Sequence, residues 1–173
     1  MKALRLTQIA LMTGGRLRGE DAVVDALVTD SRSLPATSAE PGAAKSLFVA
    51  LKGENFDGHD HVAQATGRGV IAALVSRETD VGIAQVVVAD TERALADLAA
   101  AIQRERRTRV VAITGSNGKT SVKALVLSIL QQAASPDAVY ANPGNRNNEI
   151  GLPLAVIDAP DAARFAIYEM GAG

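Results

Sequence analysis

Val110-Val111-Ala112-Ile113-Thr114-Gly115-Ser116-Asn117-Gly118-Lys119-Thr120 is an apolar run that passes into a glycine-bearing loop and ends in Gly-Lys-Thr at the mouth of a predicted helix. The β-branched residues from Val110 to Ile113 read as a buried parallel strand. Beyond the loop, Leu125, Val126, Ile129 and Leu130 recur at helical spacing. Strand, glycine loop and helix in this order predict a cradle for nucleotide phosphates. Glycines let the backbone approach phosphate oxygens closely, and the free amides at the helix start point at the anion. Lys119 supplies a mobile positive charge, and the Thr120 hydroxyl is placed to ligate a Mg²⁺ ion that bridges the phosphates. The candidate phosphate-binding set is Thr114, Gly115, Ser116, Asn117, Gly118, Lys119, Thr120 and Ser121. One departure from the general G-x-x-x-x-G-K-T pattern is Ile113, which stands at the first glycine position, and Gly115 takes over part of that role.

The rest of the composition narrows the function class. The chain has 173 residues, 47% hydrophobic and 21% charged, enough for one domain or two small ones with a real core. A formal net charge of −1, only 3% aromatic residues and no Trp leave neither a basic footprint nor stacking platforms for nucleic acid. The basic run Arg104, Arg106, Arg107 and Arg109 falls where a helix starting near Thr91 should end, so favourable interaction with that helix C-terminus accounts for it. Without Cys there is no disulfide framework, thiolate metal site or cysteine nucleophile. His59 and His61, the only two histidines, lack the partners a zinc site needs. The N-terminus has no apolar signal core and no stretch approaches the ~20 apolar residues of a membrane span, so a cytoplasmic location is expected.

Along the chain, Thr7 reads as the N-cap of a short helix stopped at Gly14-Gly15, followed by a strand from Val23 to Thr29 and another near Leu47 to Leu51. Pro35 to Gly42 is rich in breakers and expected to be an exposed, mobile loop. A helix from about Asp60 and strands at Val70–Val75 and Gln85–Val88 complete a small mixed α/β unit over residues 1–90. Residues 91–107, with Leu95, Leu98 and Ile102 on one face, form a connecting helix. Residues 108–173 then read as the start of a parallel, helix-covered sheet: the phosphate-loop strand, a short strand at Ala138–Ala141, a helix including Leu152–Ile157 and a strand at Phe165–Tyr168. The expected fold class is therefore α/β, a small mixed N-terminal domain followed by a truncated P-loop parallel-sheet domain with an exposed sheet edge.

The phosphate loop resembles that of the Mur ligases and the related folylpolyglutamate synthetases. Thr29-Asp30-Ser31-Arg32, Leu47 to Gly53 and Asp57-Gly58-His59-Asp60 resemble the first domain of those Mur ligases that act on longer UDP-muramoyl peptides. Gly144 to Pro153 and Glu169-Met170-Gly171-Ala172 are similar to the MurF-type branch, which adds D-alanyl-D-alanine to UDP-N-acetylmuramoyl tripeptide in peptidoglycan synthesis. The resemblance implies an ATP- and Mg²⁺-dependent amide ligase working through an acyl phosphate, with these small molecules as its partners and a monomer as its state. It assigns Lys119 to neutralising the transferred phosphate, Thr120 and Glu169 to the metal, and Asn147 and Asn148 to the muramoyl substrate. Ser31, Arg32, Lys52, Gly53, Asp57, Gly58 and His59 match the nucleotide-sugar site. Two local departures are the long segment from Pro35 to Ser46 and His61, where an aromatic residue is common. The family pattern continues past Gly173 with a histidine, a carbamylated lysine and a closing third domain, so this chain is expected not to turn over alone. Another Mur-type ligase, a folylpolyglutamate synthetase and a generic P-loop binding module remain the alternative readings.

Overall fold

The computed structural model describes residues 1–34, 44–53, 55–144 and 146–171. The segment expected to be a mobile loop, from Pro35 to Gly42, lies outside them, as do Glu54, Asn145, Ala172 and Gly173. The chain divides into two units, Met1–Asp97 and Leu98–Gly173, and the division falls inside one helix.

In the first unit, β1 (Leu4–Arg5) leads into α1 (Leu6–Thr13), β2 (Arg16–Arg18), β3 (Val23–Val24) and β4 (Ala26–Val28). Helix α1 starts two residues earlier than expected, with Arg5 and not Thr7 at its cap position. Asp21, from a later turn, accepts from the Thr7 amide at 3.2 Å and hydroxyl at 3.1 Å and so serves the helix start from a distance. The helix stops where expected, at Gly14 with φ 63°. The expected single strand Val23–Thr29 is two strands, because its halves have different partners. Strand β3 pairs antiparallel with β1, whereas β4 pairs parallel with β5 (Ser46–Val49).

After β5 come a short hairpin, β6 (Lys52–Gly53) and β7 (Phe56–Asp57), a 3₁₀ turn at Gly58–His61, and α2 (Val62–Thr66). Strands β8 (Val70–Val75) and β9 (Ala84–Val87) complete a five-stranded sheet in the order β2-β9-β8-β5-β4. All its pairings are parallel except β2 with β9. The continuous apolar sequence of β5 and β8 suits central strands covered on both faces: every residue of β5 is buried, and Leu74 is 1% exposed while its neighbour Ala73 is 0%. On one face Phe48, Ala50, Ala73 and Val75 pack with Val62 and Ala65 of α2. Emptying the Phe48 position would cost about 3–5 kcal/mol.

Helix α3 (Thr91–Glu105) buries Ala94, Leu95, Leu98, Ala99 and Ile102, the stripe its sequence predicts. The second unit continues with β10 (Arg109–Ile113), α4 (Lys119–Ala133), β11 (Val139–Ala141), α5 (Gly151–Asp158) and β12 (Phe165–Glu169). Its three strands are parallel in the order β10-β12-β11. Strand β12 is thus central and almost fully buried. Strand β10, expected to be buried, is an edge instead: Arg109, Val110 and Ala112 are exposed. Leu125 and Ile129 are also exposed, and Lys123, Val126, Leu127 and Leu130 form the half-buried side of α4.

Arg106 likewise differs from expectation. Its guanidinium, 5% exposed, donates to the carbonyls of Val156 at 2.5 Å and Ile157 at 3.4 Å and pairs with Asp161. It thereby serves the C-terminus of α5, not that of its own helix.

Candidate functional site

Strand β10 delivers the chain to the glycine loop. Gly115 at φ 143° and Gly118 at φ 76° hold backbone conformations that strain any L side chain, and Gly118 ends the loop so that Lys119 is the first helical residue of α4. Thr114, Ser116, Asn117, Gly118, Thr120 and Ser121 are exposed, while Gly115 and Lys119 are half-buried. The first turn of α4 therefore presents its unpaired amides beside an open loop, an anion-binding arrangement. Lys119 folds back over that loop and donates to the Gly115 carbonyl at 2.6 Å, which keeps its charge where an anion would lie.

The register of β10 against β12 sets Ile113 opposite Glu169, and the Met170 amide donates to the Ile113 carbonyl at 2.8 Å. A carboxylate at the C-terminal end of the central strand is thus placed beside the loop. The Thr120 hydroxyl lies 3.3 Å from Glu169 Oε1 and 3.2 Å from Oε2, donating to the carboxylate. Asn147 Nδ2 donates to Oε1 at 3.3 Å, and Lys123 Nζ stands 3.2 Å from Oε2. Burial by itself would raise the Glu169 carboxyl, but the Lys123 ammonium and the hydrogen bonds from Lys123, Thr120 and Asn147 outweigh it and hold the group below its ordinary value.

Asn142 fixes this carboxylate in space. Strand β11 ends at Ala141, and the Asn142 side chain then continues the ladder: Oδ1 accepts from the Glu169 amide at 2.9 Å, and Nδ2 donates to the Glu169 carbonyl at 3.1 Å and to the Arg146 carbonyl at 2.8 Å. Asn148 has a local task, since its Oδ1 accepts from the Gly151 amide at 2.6 Å at the start of α5. Lys123 is not among the candidate residues of the sequence. Lys123 follows Lys119 by four residues, one turn along the same helix face, and that spacing is a signal that could have found it.

Thr120 and Glu169 offer hard oxygen donors to one point in space, the chemistry Mg²⁺ selects. With one hydroxyl and one carboxylate from these two side chains, the remaining positions would fall to phosphate and water, which is the usual mode for this ion.

The candidates in the first unit form two hydrogen-bonded groups. Ser31 is buried, its hydroxyl donating to Gln64 Oε1 at 3.2 Å and its carbonyl accepting from Arg68 at 3.1 Å. Arg32 is exposed and paired with Asp30, whose carboxyl the guanidinium draws down to about 2. In the second group, Asp57 accepts from the backbone and ring of His59 and from Arg77. His59 is buried with both ring nitrogens engaged: the Ser76 amide donates to Nε2 at 2.9 Å, so Nδ1 carries the proton directed at Asp57, 2.5 Å away. The Asp57 carboxyl falls to about 2, chiefly through the His59 backbone amide, then the His59 ring and the Arg77 charge, against the opposing effect of burial. Lys52 and Gly53 are exposed on the hairpin, Gly58 is buried, and His61 stacks on Phe56 at 5.1 Å. Arg32, Lys52 and Phe56 are exposed.

A glycine loop at the end of a parallel strand, a lysine and threonine opening the next helix, and a carboxylate on the adjacent strand end define an α/β protein of the P-loop class. Residues 113–173 match the Mur ligase middle domain, and residues 40–119 match the Mur ligase family catalytic domain. The chain belongs to the Mur ligase family. It is 42% identical over 172 residues to the UDP-N-acetylmuramoyl-tripeptide D-alanyl-D-alanine ligase of Escherichia coli (strain K12), covering 99% of this chain and 36% of that relative. A crystal structure of MurF from Acinetobacter baumannii superposes with a TM-score of 0.87 at 35% identity, over 99% of this chain and 36% of that one. MurF ligase from Thermotoga maritima in complex with ADP gives 0.70 at 30% identity, over 85% and 32%. The chain thus spans about a third of the length of these relatives. Among the described residues, no helix is long and apolar enough to cross a membrane.

Proposed function

We propose that this chain carries the phosphate-binding and part of the substrate-binding machinery of an ATP-dependent acid-amine ligase of peptidoglycan synthesis, one that joins D-alanyl-D-alanine to UDP-N-acetylmuramoyl tripeptide. The observation that carries this reading is the meeting of the Thr120 hydroxyl with Glu169 beside a glycine loop on which Lys119 is already folded. Similarity to ligases of that name over nearly the whole chain supports the substrate assignment.

The chemistry divides as follows. The tripeptide carboxylate attacks the γ-phosphorus of ATP, releasing ADP and forming an acyl phosphate. The dipeptide amine then attacks the acyl carbon, phosphate departs, and the amine loses its proton. Such a sequence needs positioning and charge neutralisation more than a protein nucleophile. Lys119 exchanges its bond to the Gly115 carbonyl for the outer phosphates, while the loop from Thr114 to Gly118 and the first amides of α4, with Ser121, hold the inner ones. Thr120 and Glu169 would hold Mg²⁺, which when bound spreads the phosphate charge. Asn147 joins this cluster through Glu169, and Asn148 shapes the start of α5 on the side assigned to the muramoyl group.

In this reading residues 1–90 receive the UDP-muramoyl substrate, residues 91–107 connect, and residues 108–173 belong to the ATP-binding domain. Arg32 and Lys52 offer exposed cations to the diphosphate, whereas Ser31, Asp57, Gly58 and His59 hold the surface in shape. Calorimetric titration of the chain and its Lys119→Ala variant with UDP-N-acetylmuramoyl tripeptide, and separately with Mg-ATP, tests this. Micromolar binding of the UDP substrate that survives the substitution, with nucleotide binding that does not, is the expected result. Lys119-dependent nucleotide binding with no affinity for the UDP substrate would reduce the chain to a P-loop protein of other specificity.

A further inference from the structure

Glu169 is almost fully buried, and a buried carboxylate must be neutralised or pay a large desolvation cost. The group that neutralises it is Lys123, whose own side chain is 13% exposed. Its three N–H bonds have three acceptors: Glu169 Oε2 at 3.2 Å and the carbonyls of Asn142 at 3.3 Å and Gly144 at 3.5 Å. The same carboxylate receives the Thr120 hydroxyl, so the ammonium and any cation held by Thr120 and Glu169 converge on one charge. Lys119, Lys123 and Glu169 together sum to one positive charge, a poor lure for a divalent ion arriving alone.

We propose that Lys123 is a built-in competitor of the divalent cation at Glu169, which keeps the bare ion out and makes its entry conditional on the negative charge of a nucleotide. When both are present, the ammonium gives up Oε2 and keeps the two carbonyls, which stand ready as its alternative seat. This rests on the assignment of Thr120 and Glu169 to a metal-bound nucleotide. Its physical basis is the repulsion between a single and a double positive charge: about 4 Å apart, even with water-like screening, they weaken binding more than tenfold.

The test is Mn²⁺ binding in the absence of nucleotide, read from the free-ion electron paramagnetic resonance signal. The chain is compared with Lys123→Met, Lys123→Arg and Lys123→Met/Glu169→Gln. Lys123→Met is expected to bind Mn²⁺ roughly tenfold or more tightly than the wild-type chain. Lys123→Arg, which keeps the charge, should gain nothing, and the double variant should lose the gain. If Lys123→Met is unfolded by circular dichroism, its restoration by millimolar Mn²⁺, with none in the double variant, is the same result read through folding. Equal Mn²⁺ affinity in Lys123→Met and wild type, a gain in Lys123→Arg as well, or an unfolded Lys123→Met that Mn²⁺ does not restore overturns the proposal. Titration of the wild-type chain with Mg-ADP runs alongside: failure to bind it would remove the nucleotide reading while leaving the competition at Glu169 to stand or fall on the Mn²⁺ data.

Discussion

Replacing Asn142 by Ala removes three hydrogen bonds of 2.8–3.1 Å from a side chain that is 2% exposed, and leaves the Glu169 amide and the Glu169 and Arg146 carbonyls without these partners. Each neutral bond is worth about 1 kcal/mol net, rising when the partner is left unsatisfied, so the substitution should destabilise the second unit by about 3 kcal/mol. In urea, at a slope of ~1.5 kcal/mol per molar, the midpoint should drop by about 2 M. The local sign is loss of hydrogen-exchange protection at the Glu169 amide, because Asn142 Oδ1 is its acceptor. Asn142→Asp separates hydrogen bonding from packing. It keeps the shape and the acceptor but loses both donors and turns a carboxylate towards two carbonyls, so it should cost at least as much as Ala. An Asn142→Ala loss below about 1 kcal/mol, or an Asn142→Asp variant as stable as wild type, would refute the account of Asn142 as the extension of the β11–β12 ladder.

Arg106→Met should destabilise the chain by about 2–4 kcal/mol in thermal or urea unfolding, since it uncaps the α5 carbonyls and unpairs Asp161, and Arg106→Lys should recover less than half, because an ammonium cannot span three acceptors as the planar fork does. The Asp57 carboxyl, followed by NMR, should titrate at about 2 against an ordinary 3.8. Because the folded value is the lower one, its contribution to stability is complete above the ordinary value and lost as pH falls through about 2. Asp57→Asn should flatten the stability curve across that acid window.

Much of this architecture can be read in the sequence because its signals are local. The glycine loop fixed strand β10 and the start of α4 together, and the stripe Leu95, Leu98, Ile102 marked α3. Strand order cannot be read that way. An apolar run such as Val110–Ile113 looks the same in a central strand and at an edge, and nothing within it tells that Phe165–Glu169 will be inserted between it and β11. The break in Val23–Val28 has the same origin: two partners far away in sequence, β1 and β5, claim its halves. At the site, Lys119, Thr120 and Glu169 stand out by type and position. The task of Asn142 is not legible in the sequence, since it is set by a strand 27 residues away.

The insertion of β12 between its elders has a consequence for how the protein is made. A growing chain emits β10, then α4, then β11, and the two outer strands have no sheet to join until Phe165–Glu169 leaves the ribosome. At roughly 5–20 residues per second that interval lasts a few seconds, far longer than the microseconds in which α4 can wind. In the first unit β2 waits in the same way for β9, the strand it pairs with. In the second unit the piece that joins β10 to β11 is thus made after both of them. Substitutions in β12 should show themselves in how often β10 and β11 become joined during synthesis.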